Sequence, residues 1–230
     1  SQDTRKTTMK LALFDLDHTL LPLDSDHAWG EFTIGLGWHD GAAFRAMNDR
    51  FYDQYKMGTL NLAQYIAFTT EGIRRVGKDA ALVAHQRFMA EVIAPAITAQ
   101  TLALLQKHRD AGDTLVLITA TNEFVTRPIA QALGFEHLLA VELQKDADGW
   151  YNGQIQGVPS FREGKVTRMQ NWLAERSSSL QSAASSIFYS DSINDLPLLE
   201  QVQTPVATNP DPQLLSIARE RDWQVLQLFS

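Results

Sequence analysis

The sequence predicts an α/β protein in three layers, in which helices cover both faces of a parallel sheet and an all-helical cap follows the first strand. Two observations predict this fold class. From residue 95 onward, short β-branched and aliphatic runs alternate with amphipathic helical segments, which is typical of parallel βαβ units. One strand-like run precedes them at residues 11–16, and none occurs within residues 24–94. The predicted domains are a core of residues 1–23 and 95–230 and a cap of residues 24–94.

The predicted first strand ends in two carboxylates. Residues 11–14 are apolar, and Asp15 and Asp17 follow with one residue between them. Side chains alternate along a strand, but the chain leaves strand geometry after Asp15, so both carboxylates can reach one site at the mouth of the sheet. An Asp-rich turn without chemistry also explains such a pair, and the choice between the two depends on partners further along the chain.

The cap segment shows aromatic and aliphatic residues at helical spacing, with glycines between the stripes where turns and helix ends are expected. We interpret these aromatic residues as packing residues and not as a cofactor site. The stripes are Phe44, Met47, Phe51 and Tyr55; Leu62, Tyr65, Ile66 and Thr69; and Leu82, Gln86, Met89 and Ile93.

The core segment alternates between helices and strands. A hairpin is predicted around Asp148-Gly149, and Pro128 is expected in or near the first turn of its helix, where a missing N–H does least harm. The predicted strands span residues 114–119, 138–143, 186–190, 205–208 and 223–228. The predicted helices span residues 101–111, a segment through Ile129 and Leu133, and residues 166–173, 196–202 and 212–219. Residues 1–8 are expected to form a loose terminus.

Composition excludes several classes of function. The net charge of -7, without a cluster of Lys and Arg, argues against a nucleic acid or an anionic membrane as partner. The absence of Cys excludes thiolate catalysis, disulfides and cysteine metal sites. The longest apolar runs are far shorter than a membrane span, and the first ten residues lack the apolar centre of a signal peptide. We expect a cytoplasmic protein that acts on a small molecule, and its oligomeric state stays open.

Polar residues follow several predicted strands and open one predicted helix. Because the carboxyl ends of parallel strands meet at one edge of the sheet, these residues should converge there. Four carboxylates so close together repel one another unless they share a cation or some are protonated. An oxygen-only ligand set favours Mg²⁺. The residues are Asp15 and Asp17, Thr119 to Asn122, Lys165, and Asp191 to Asp195.

Four motifs in this order resemble the haloacid dehalogenase superfamily of phosphohydrolases. They are Asp15-Leu16-Asp17-His18-Thr19, the strand-end Thr119, Lys165, and Asp191-Ser192-Ile193-Asn194-Asp195. A helical insertion directly after the first motif is similar to the phosphoserine-phosphatase-like branch, subfamily IB, with its C1-type cap on a Rossmann-like core. Residues 161–165 and 189–195 further resemble a bacterial subgroup in which histidinol-phosphate phosphatase activity occurs.

The resemblance implies a Mg²⁺-dependent phosphomonoesterase that works through an aspartyl-phosphate. It assigns Asp15 as the nucleophile and Asp17 as the general acid and later the general base. Lys165 would neutralise charge between the phosphate and the nucleophile. The Asp15 and Asp191 side chains and the main-chain carbonyl of Asp17 would hold Mg²⁺, and Asp195 would orient metal-bound water or Lys165.

The resemblance also implies a phosphate site and a cap that selects the substrate. Thr119, the backbone N–H of Ala120, and Asn194 would contact the phosphate, and Thr19 would either bind it or close the turn. Asp24 would either recognise a substrate amine or cap the first cap helix. His18 would form a wall, occupy a turn or face the leaving group, and the cap arginine that could bind a carboxylate stays open among Arg45, Arg50, Arg74 and Arg75.

Other functions fit parts of the same residue set. A phosphotransferase of the same family would use the same residues with an alcohol as acceptor. A receiver-type signalling domain also combines strand-end Asp residues, a Thr and a Lys around Mg²⁺, but it holds phosphate and undergoes no turnover. Receivers are shorter and lack a cap, and a binding module without activity has little reason to keep Asp15, Asp17, Lys165 and Asp191 together.

Overall fold

A computed structural model describes residues 9–229, and the loose terminus expected at residues 1–8 lies outside this part of the chain. A seven-stranded sheet crosses the molecule in the order β4-β3-β2-β1-β5-β6-β7. Neighbouring strands are parallel except for the β3–β4 pair. The strands are β1 (Lys10–Phe14), β2 (Thr114–Asn122), β3 (His137–Lys145), β4 (Tyr151–Gln156), β5 (Ser185–Ser190), β6 (Thr204–Thr208) and β7 (Gln224–Leu226).

Helices cover the sheet and form the insertion between β1 and β2. The insertion contains α1 (Ser25–Gly35), α2 (Gly41–Met57), α3 (Leu62–Thr69), α4 (Glu71–Val76), α5 (Lys78–Phe88), a π-helical turn (Met89–Ile93), α6 (Ala94–Ala96) and α7 (Ala99–Asp110). The later helices are α8 (Glu123–Ala132), α9 (Glu163–Ala174), a 3₁₀ turn (Ile193–Asp195), α10 (Leu196–Leu199) and α11 (Pro212–Glu220). The predicted three-layer α/β class is confirmed.

Strand β1 lies at the centre of the sheet, between β2 and β5. Its last residue, Phe14, is in register with Leu117 of β2 and Tyr189 of β5. The residues after these three strands therefore meet at one edge, and the strand order changes direction there, which is the usual ligand position in an open α/β sheet.

The alternating side chains of β1 build two cores, one on each face of the sheet. Ala12 and Phe14 belong to the core beneath the cap, and Leu11 and Leu13 belong to the opposite core. The Phe14 ring stacks on Tyr189 with 5.0 Å between ring centroids. Full burial of an aromatic side chain of this kind contributes about 1.5–3 kcal/mol, so β1 is firmly anchored.

The cap packs on the core through an aromatic cluster around Trp29. Its indole contacts Phe88 at 5.2 Å, His85 at 5.3 Å and Phe124 of the core helix α8 at 5.5 Å between ring centroids. The buried face of α5 follows this cluster and comprises Ala81, Ala84, His85 and Phe88. The third predicted stripe was wrong along α5, because Leu82 is 44% exposed on the other side of the helix and Gln86 is also exposed. Its last two residues, Met89 and Ile93, do pack in the core.

Other predicted boundaries were also wrong. Pro128 lies inside α8 and not in its first turn, because Asn122 caps the helix earlier by accepting from the Val125 N–H. Strand β2 continues to Asn122 through an irregular register with β3. The last predicted strand keeps only the residues of β7, and the short helix after residue 196 already ends at Leu199.

No single helix within residues 9–229 has the length and apolar character needed to cross a membrane. Residues 78–96 and 99–110 meet these criteria together, by length and composition only, and the two segments are bent by 88° at their junction. In the fold they contribute Phe88, Ile93 and Leu105 to the core beneath the cap.

Candidate active site

The residues at the ends of β1, β2 and β5 line an open cleft between the sheet and the cap. The cleft has a volume of about 1330 Å³. Its floor carries carboxylates from the first and last motifs together with Lys165, and its roof carries cap residues from α1, α2 and α3. The structure therefore brings most of the sequence-predicted residues to one cleft, whereas Thr19 and Thr119 are fully buried and do not line it.

Lys165 is the central cation of the floor. Its ammonium group donates to Asp15 Oδ1 at 3.0 Å, to Asp195 Oδ2 at 3.0 Å and to the Ile118 carbonyl at 3.2 Å. The side chain is only 2% exposed. Burial alone lowers the pKa of Lys165, but the carboxylates of Asp15 and Asp195 outweigh burial and raise it. Lys165 therefore stays charged, and it is not a solvated helix residue.

Asp195 is buried beside this lysine. The Ser190 hydroxyl donates to Asp195 Oδ2 at 2.6 Å. Burial raises the pKa of Asp195 to about 6, although Lys165 acts in the opposite direction. The Asp195 side chain makes no cap bond to the helix that follows. Its contacts support the predicted role of holding Lys165.

Asp15 and Asp191 face each other across the Thr19 hydroxyl. Thr19 Oγ1 lies 3.2 Å from Asp15 Oδ2 and 3.0 Å from Asp191 Oδ1, and it accepts from the Asp191 N–H at 3.0 Å. Burial, followed by the charge of Asp15, raises the pKa of Asp191 to about 10. Thr19 thus closes the turn and also orients both carboxylates. A proton or a cation between the two carboxylates relieves their repulsion.

Two of the four predicted carboxylates, those of Asp15 and Asp191, are placed so that they could hold Mg²⁺ together. Within residues 9–229, no three His, Cys, Asp or Glu side chains are arranged to hold a metal ion. The four predicted carboxylates do not converge on one point, because Asp17 and Asp195 are bonded elsewhere. Asp15 and Asp191 remain as a facing pair. Mg²⁺ is commonly held by one or two carboxylates together with water and substrate phosphate, so this pair suits it.

The Asp17 carboxylate is turned toward the cap. It accepts from the Ser25 N–H at 2.7 Å and from the Thr121 hydroxyl at 2.7 Å. Burial is the main reason why the pKa of Asp17 rises to about 8, and the charges of Asp24 and Asp15 add to it. At neutral pH this group carries a proton that it can donate. The sequence placed Thr121 in the strand-end group at this edge but assigned it no specific role, because its bond to Asp17 joins residues 104 positions apart.

The turn after β1 is tight and is held from a distant part of the chain. The Leu16 carbonyl accepts from three successive N–H groups, those of Thr19, Leu20 and Leu21. His18 adopts a φ of 59°, and its side chain is exposed at the cleft, so it is a turn residue that also forms part of the wall. Asn209 Nδ2 donates to the carbonyls of His18 at 3.0 Å and Thr19 at 3.2 Å.

Strand β2 supplies backbone and hydroxyl groups to the same floor. The Thr119 side chain is fully buried, and its Oγ1 accepts from the Thr121 N–H at 3.1 Å. Ala120 and Thr121 line the cleft. The Thr119 carbonyl accepts from the buried Ser160 hydroxyl at 2.5 Å, which fixes this stretch against the loop before α9.

Asn194 connects the floor to the cap. Its Nδ2 donates to the hydroxyl of Tyr55 on the cap helix α2, and its Oδ1 accepts from Arg162 Nε at 3.3 Å. Burial raises the pKa of Tyr55, and the floor carboxylates raise it further, so its hydroxyl stays protonated. Tyr55 was predicted as a packing residue, since its helical spacing in a stripe gave no sign of this contact.

The cap side of the cleft is acidic. Asp24 caps α1 by accepting from the N–H groups of Asp26 and His27, both at 3.0 Å, and it also lines the cleft. Asp26 is 8% exposed and accepts from the Tyr65 hydroxyl at 2.6 Å, while its Oδ1 has no hydrogen-bond partner among residues 9–229. Burial and the charge of Asp24 raise the pKa of Asp26 to about 7.

Three of the four cap arginines considered from the sequence are bonded to other groups. Arg45 pairs with Glu31 at 2.8 Å, Arg75 pairs with Glu71 at 2.7 Å, and Arg74 donates to the Ala67 carbonyl. None of these three lines the cleft.

Comparison with known proteins agrees with this arrangement. The family model of the haloacid dehalogenase-like hydrolases matches residues 12–200, from β1 to α10. The chain belongs to this family. The matched range contains all the floor residues described above, so the resemblance inferred from the four motifs is confirmed.

Individual relatives narrow the class of enzyme. A histidinol-phosphatase of Neisseria meningitidis is 44% identical over 94% of this chain and 97% of its own length. The phosphoserine phosphatase SerB1 of Mycobacterium tuberculosis is 33% identical over 93% of this chain and 69% of its own length. A crystal structure of a protein of unknown function from Bordetella pertussis has a TM-score of 0.90 and 47% identity, and it covers 96% of this chain and 100% of that one. The prediction of a phosphatase is confirmed.

Proposed function

We propose that this phosphatase is a Mg²⁺-dependent phosphomonoesterase that forms an aspartyl-phosphate on Asp15. The observation that carries the proposal is the contrast between two neighbouring carboxyl groups. Asp15 is held by Lys165 and Thr19, whereas Asp17 is held by Ser25 and Thr121 with its pKa raised to about 8. Phosphoryl transfer from a phosphate ester of an alcohol requires a nucleophile next to a protonated acid.

The two carboxyl groups divide the reaction into two steps. In the first, a carboxylate oxygen of Asp15 bonds to phosphorus, the bond from phosphorus to the ester oxygen breaks, and Asp17 gives its proton to the departing alkoxide. In the second, Asp17 takes a proton from water as the water oxygen bonds to phosphorus. The bond from phosphorus to Asp15 then breaks, and inorganic phosphate leaves. Both groups return to their starting states.

Asp15, Asp191 and the main-chain carbonyl of Asp17 would hold Mg²⁺. When bound, the ion neutralises the repulsion between the phosphate and the floor carboxylates. Lys165 keeps Asp15 in place, since Asp195 and the Ile118 carbonyl fix its ammonium group.

Contacts to the phosphate are proposed for Asn194, for the Thr119 hydroxyl with the backbone N–H of Ala120 beside it, and for Thr19. Asn194 and Ala120 line the cleft, whereas Thr19 is buried against Asp15 and Asp191. The cap would exclude bulk water from the aspartyl-phosphate, because α1, α2 and α3 form the roof over these residues.

We propose histidinol phosphate as the substrate. The Neisseria relative supports this choice, and so does the acidic roof, where Asp24, Asp26 and Asp49 line the cleft. Acidic side chains favour a leaving group that carries an ammonium or imidazolium. Phosphoserine is the second candidate, and the Mycobacterium relative supports it. The cytoplasmic setting stays a prediction.

The first test is phosphate release with Mg²⁺ from histidinol phosphate, phosphoserine, sugar phosphates and an aryl phosphate. Asp15→Asn is compared with Asp53→Asn, which removes the same charge from an exposed site on α2. We expect many turnovers on histidinol phosphate, none with Asp15→Asn, and normal rates with Asp53→Asn. Phosphorylation of one group per chain without turnover would instead indicate a receiver-like protein. Faster transfer to an added alcohol than to water would indicate a phosphotransferase.

A further inference from the structure

Arg162 lies in a tight turn whose backbone conformation favours glycine. The Gly164 N–H donates to the Phe161 carbonyl at 2.9 Å, and Arg162 has φ 52° and ψ -123°. These are the angles of the second residue of a type II′ turn, where glycine is the usual residue because it has no Cβ. A side chain kept at such a position points to a use for that side chain.

The Arg162 guanidinium faces the cleft without an acidic partner. Its Nε donates to Asn194 Oδ1 at 3.3 Å, and its carbon lies 4.9 Å from the centre of the Phe161 ring. No ion pair to this arginine occurs within residues 9–229, although many side chains along the cleft are acidic. Its two terminal nitrogens have no hydrogen-bond partner in the same part of the chain, so their donors are free.

Lys165, in contrast, has no free donor. An ammonium group has three protons, and those of Lys165 point at Asp15, Asp195 and the Ile118 carbonyl. The charge of this lysine is also shared between two carboxylates. A phosphate group that enters the floor must therefore take its side-chain hydrogen bonds from groups with unused donors. Arg162 has such donors, stands three residues away in sequence and contacts the proposed phosphate ligand Asn194.

We propose that Arg162 binds the phosphoryl group of the substrate through its terminal guanidinium nitrogens and holds the Asn194 amide in position. The planar guanidinium matches two phosphate oxygens at once, which an ammonium group cannot do. This inference rests on the proposed phosphatase function and adds a specific phosphate-binding residue to it. The bond from Arg162 to Asn194 Oδ1 also fixes which way this amide faces, with its Nδ2 donating to the hydroxyls of Tyr55 and Ser192.

The test is the affinity of the full chain for inorganic phosphate, measured by calorimetry with Mg²⁺ and as inhibition of aryl phosphate hydrolysis. The variants are Arg162→Gly, Arg162→Gln and Arg162→Lys. The matched control is Arg221→Gln, which removes one charge from a guanidinium that also lies over an aromatic ring, that of Trp223, at 5.2 Å. Arg221 pairs with Glu200, and neither residue lines the cleft.

We expect Arg162→Gly and Arg162→Gln to weaken phosphate binding about tenfold to a hundredfold, the size of a charged hydrogen-bond pair. Arg162→Lys should recover part of this loss, Arg221→Gln should bind phosphate normally, and added guanidinium ion should restore Arg162→Gly but not change the wild type. Glycine suits the turn, so loss of folding is not expected there, and an unchanged or higher melting temperature supports the backbone argument.

Three outcomes would overturn the proposal. The first is an affinity of Arg162→Gly for phosphate within about twofold of the wild type. The second is a loss of activity on phosphoserine with unchanged phosphate affinity, which would assign Arg162 to a substrate carboxylate. The third is an absence of phosphate binding by the wild type. Calorimetry measures phosphate binding without turnover, so a wild type that binds phosphate in the calorimeter but hydrolyses nothing refutes only the proposed function. If the wild type turns over normally and Arg162→Gly binds phosphate with normal affinity, only the role of Arg162 is refuted.

Discussion

Replacement of Asp26 by Asn should change how the stability of the protein depends on pH. Asp26 is buried within the cap, its side chain accepts one hydrogen bond within residues 9–229, from Tyr65, and its pKa is raised from 3.8 to about 7. The native state keeps the proton up to about pH 7, whereas the unfolded chain loses it near pH 3.8. The native state binds more protons in this window, so its stability falls as pH rises and is lowest above pH 7.

The size of the effect follows from this shift in pKa. A change of about 3 pH units, at about 1.4 kcal/mol each, gives at most about 4 kcal/mol between pH 4 and pH 7.5. The Asp26→Asn side chain carries no charge, so the substitution removes this dependence. Burial of the amide that replaces the carboxyl group costs the same free energy at every pH. Any pH dependence of the difference in unfolding free energy between variant and wild type therefore comes from the charge of Asp26.

The assay is urea unfolding of the metal-free protein at several pH values between 4.5 and 8. We expect the free energy of unfolding of Asp26→Asn, relative to the wild type, to rise by about 1.4 kcal/mol per pH unit up to about pH 7 and then to level off. Asp53→Asn controls for the loss of one negative charge. The reasoning is refuted if the difference between Asp26→Asn and the wild type is the same at pH 5 and pH 8.

Three further predictions concern the floor of the site. Asp17→Asn should lower kcat on an alkyl phosphate by about 10²–10⁴ and on an aryl phosphate much less, because an aryl oxide leaves without needing a proton. In a pH–rate series, the wild-type rate on the alkyl ester should fall as pH rises through about 8. Lys165→Met should lower the free energy of unfolding by about 3–5 kcal/mol, as measured in urea, because Asp15 and Asp195 lose their cation; equal stability would contradict the central role of this lysine. Chelation should stop phosphate release and added Mg²⁺ should restore it, whereas release that continues in chelator would refute the metal requirement.

Most of the architecture could be predicted because it is written in local patterns. The apolar run before Asp15 placed β1, and the alternation of strands and helices after residue 95, with the predicted hairpin, placed the later strands. The parallel arrangement then brought Asp15, Lys165 and Asp191 to one edge. The motif order added the family. These predictions needed only the period of the apolar residues and the rule that parallel strands end together.

The remaining features depend on how the cap lies on the core. Tyr55, Tyr65 and Thr121 received no predicted role at the site, since each obtains its partner from an element far away in sequence. The phase of α5 was wrong for the same reason, because packing on Trp29 and Phe124 selects its buried face. The sequence also could not predict that all three Lys165 protons are used, since this depends on the three-dimensional positions of three acceptors from different parts of the chain.

Asn209 links the turn after β1 to the far end of the described chain, so this turn depends on residues that are synthesised late. Its amide nitrogen holds the carbonyls of His18 and Thr19, and its amide oxygen accepts from the Leu228 N–H at 2.7 Å. Strand β1 leaves the ribosome early, but the contacts that hold its turn need residues made about 200 positions later. A nascent chain therefore carries the turn after Asp15 long before Asn209 and Leu228 are available to hold it, so this turn gains its final contacts late in folding.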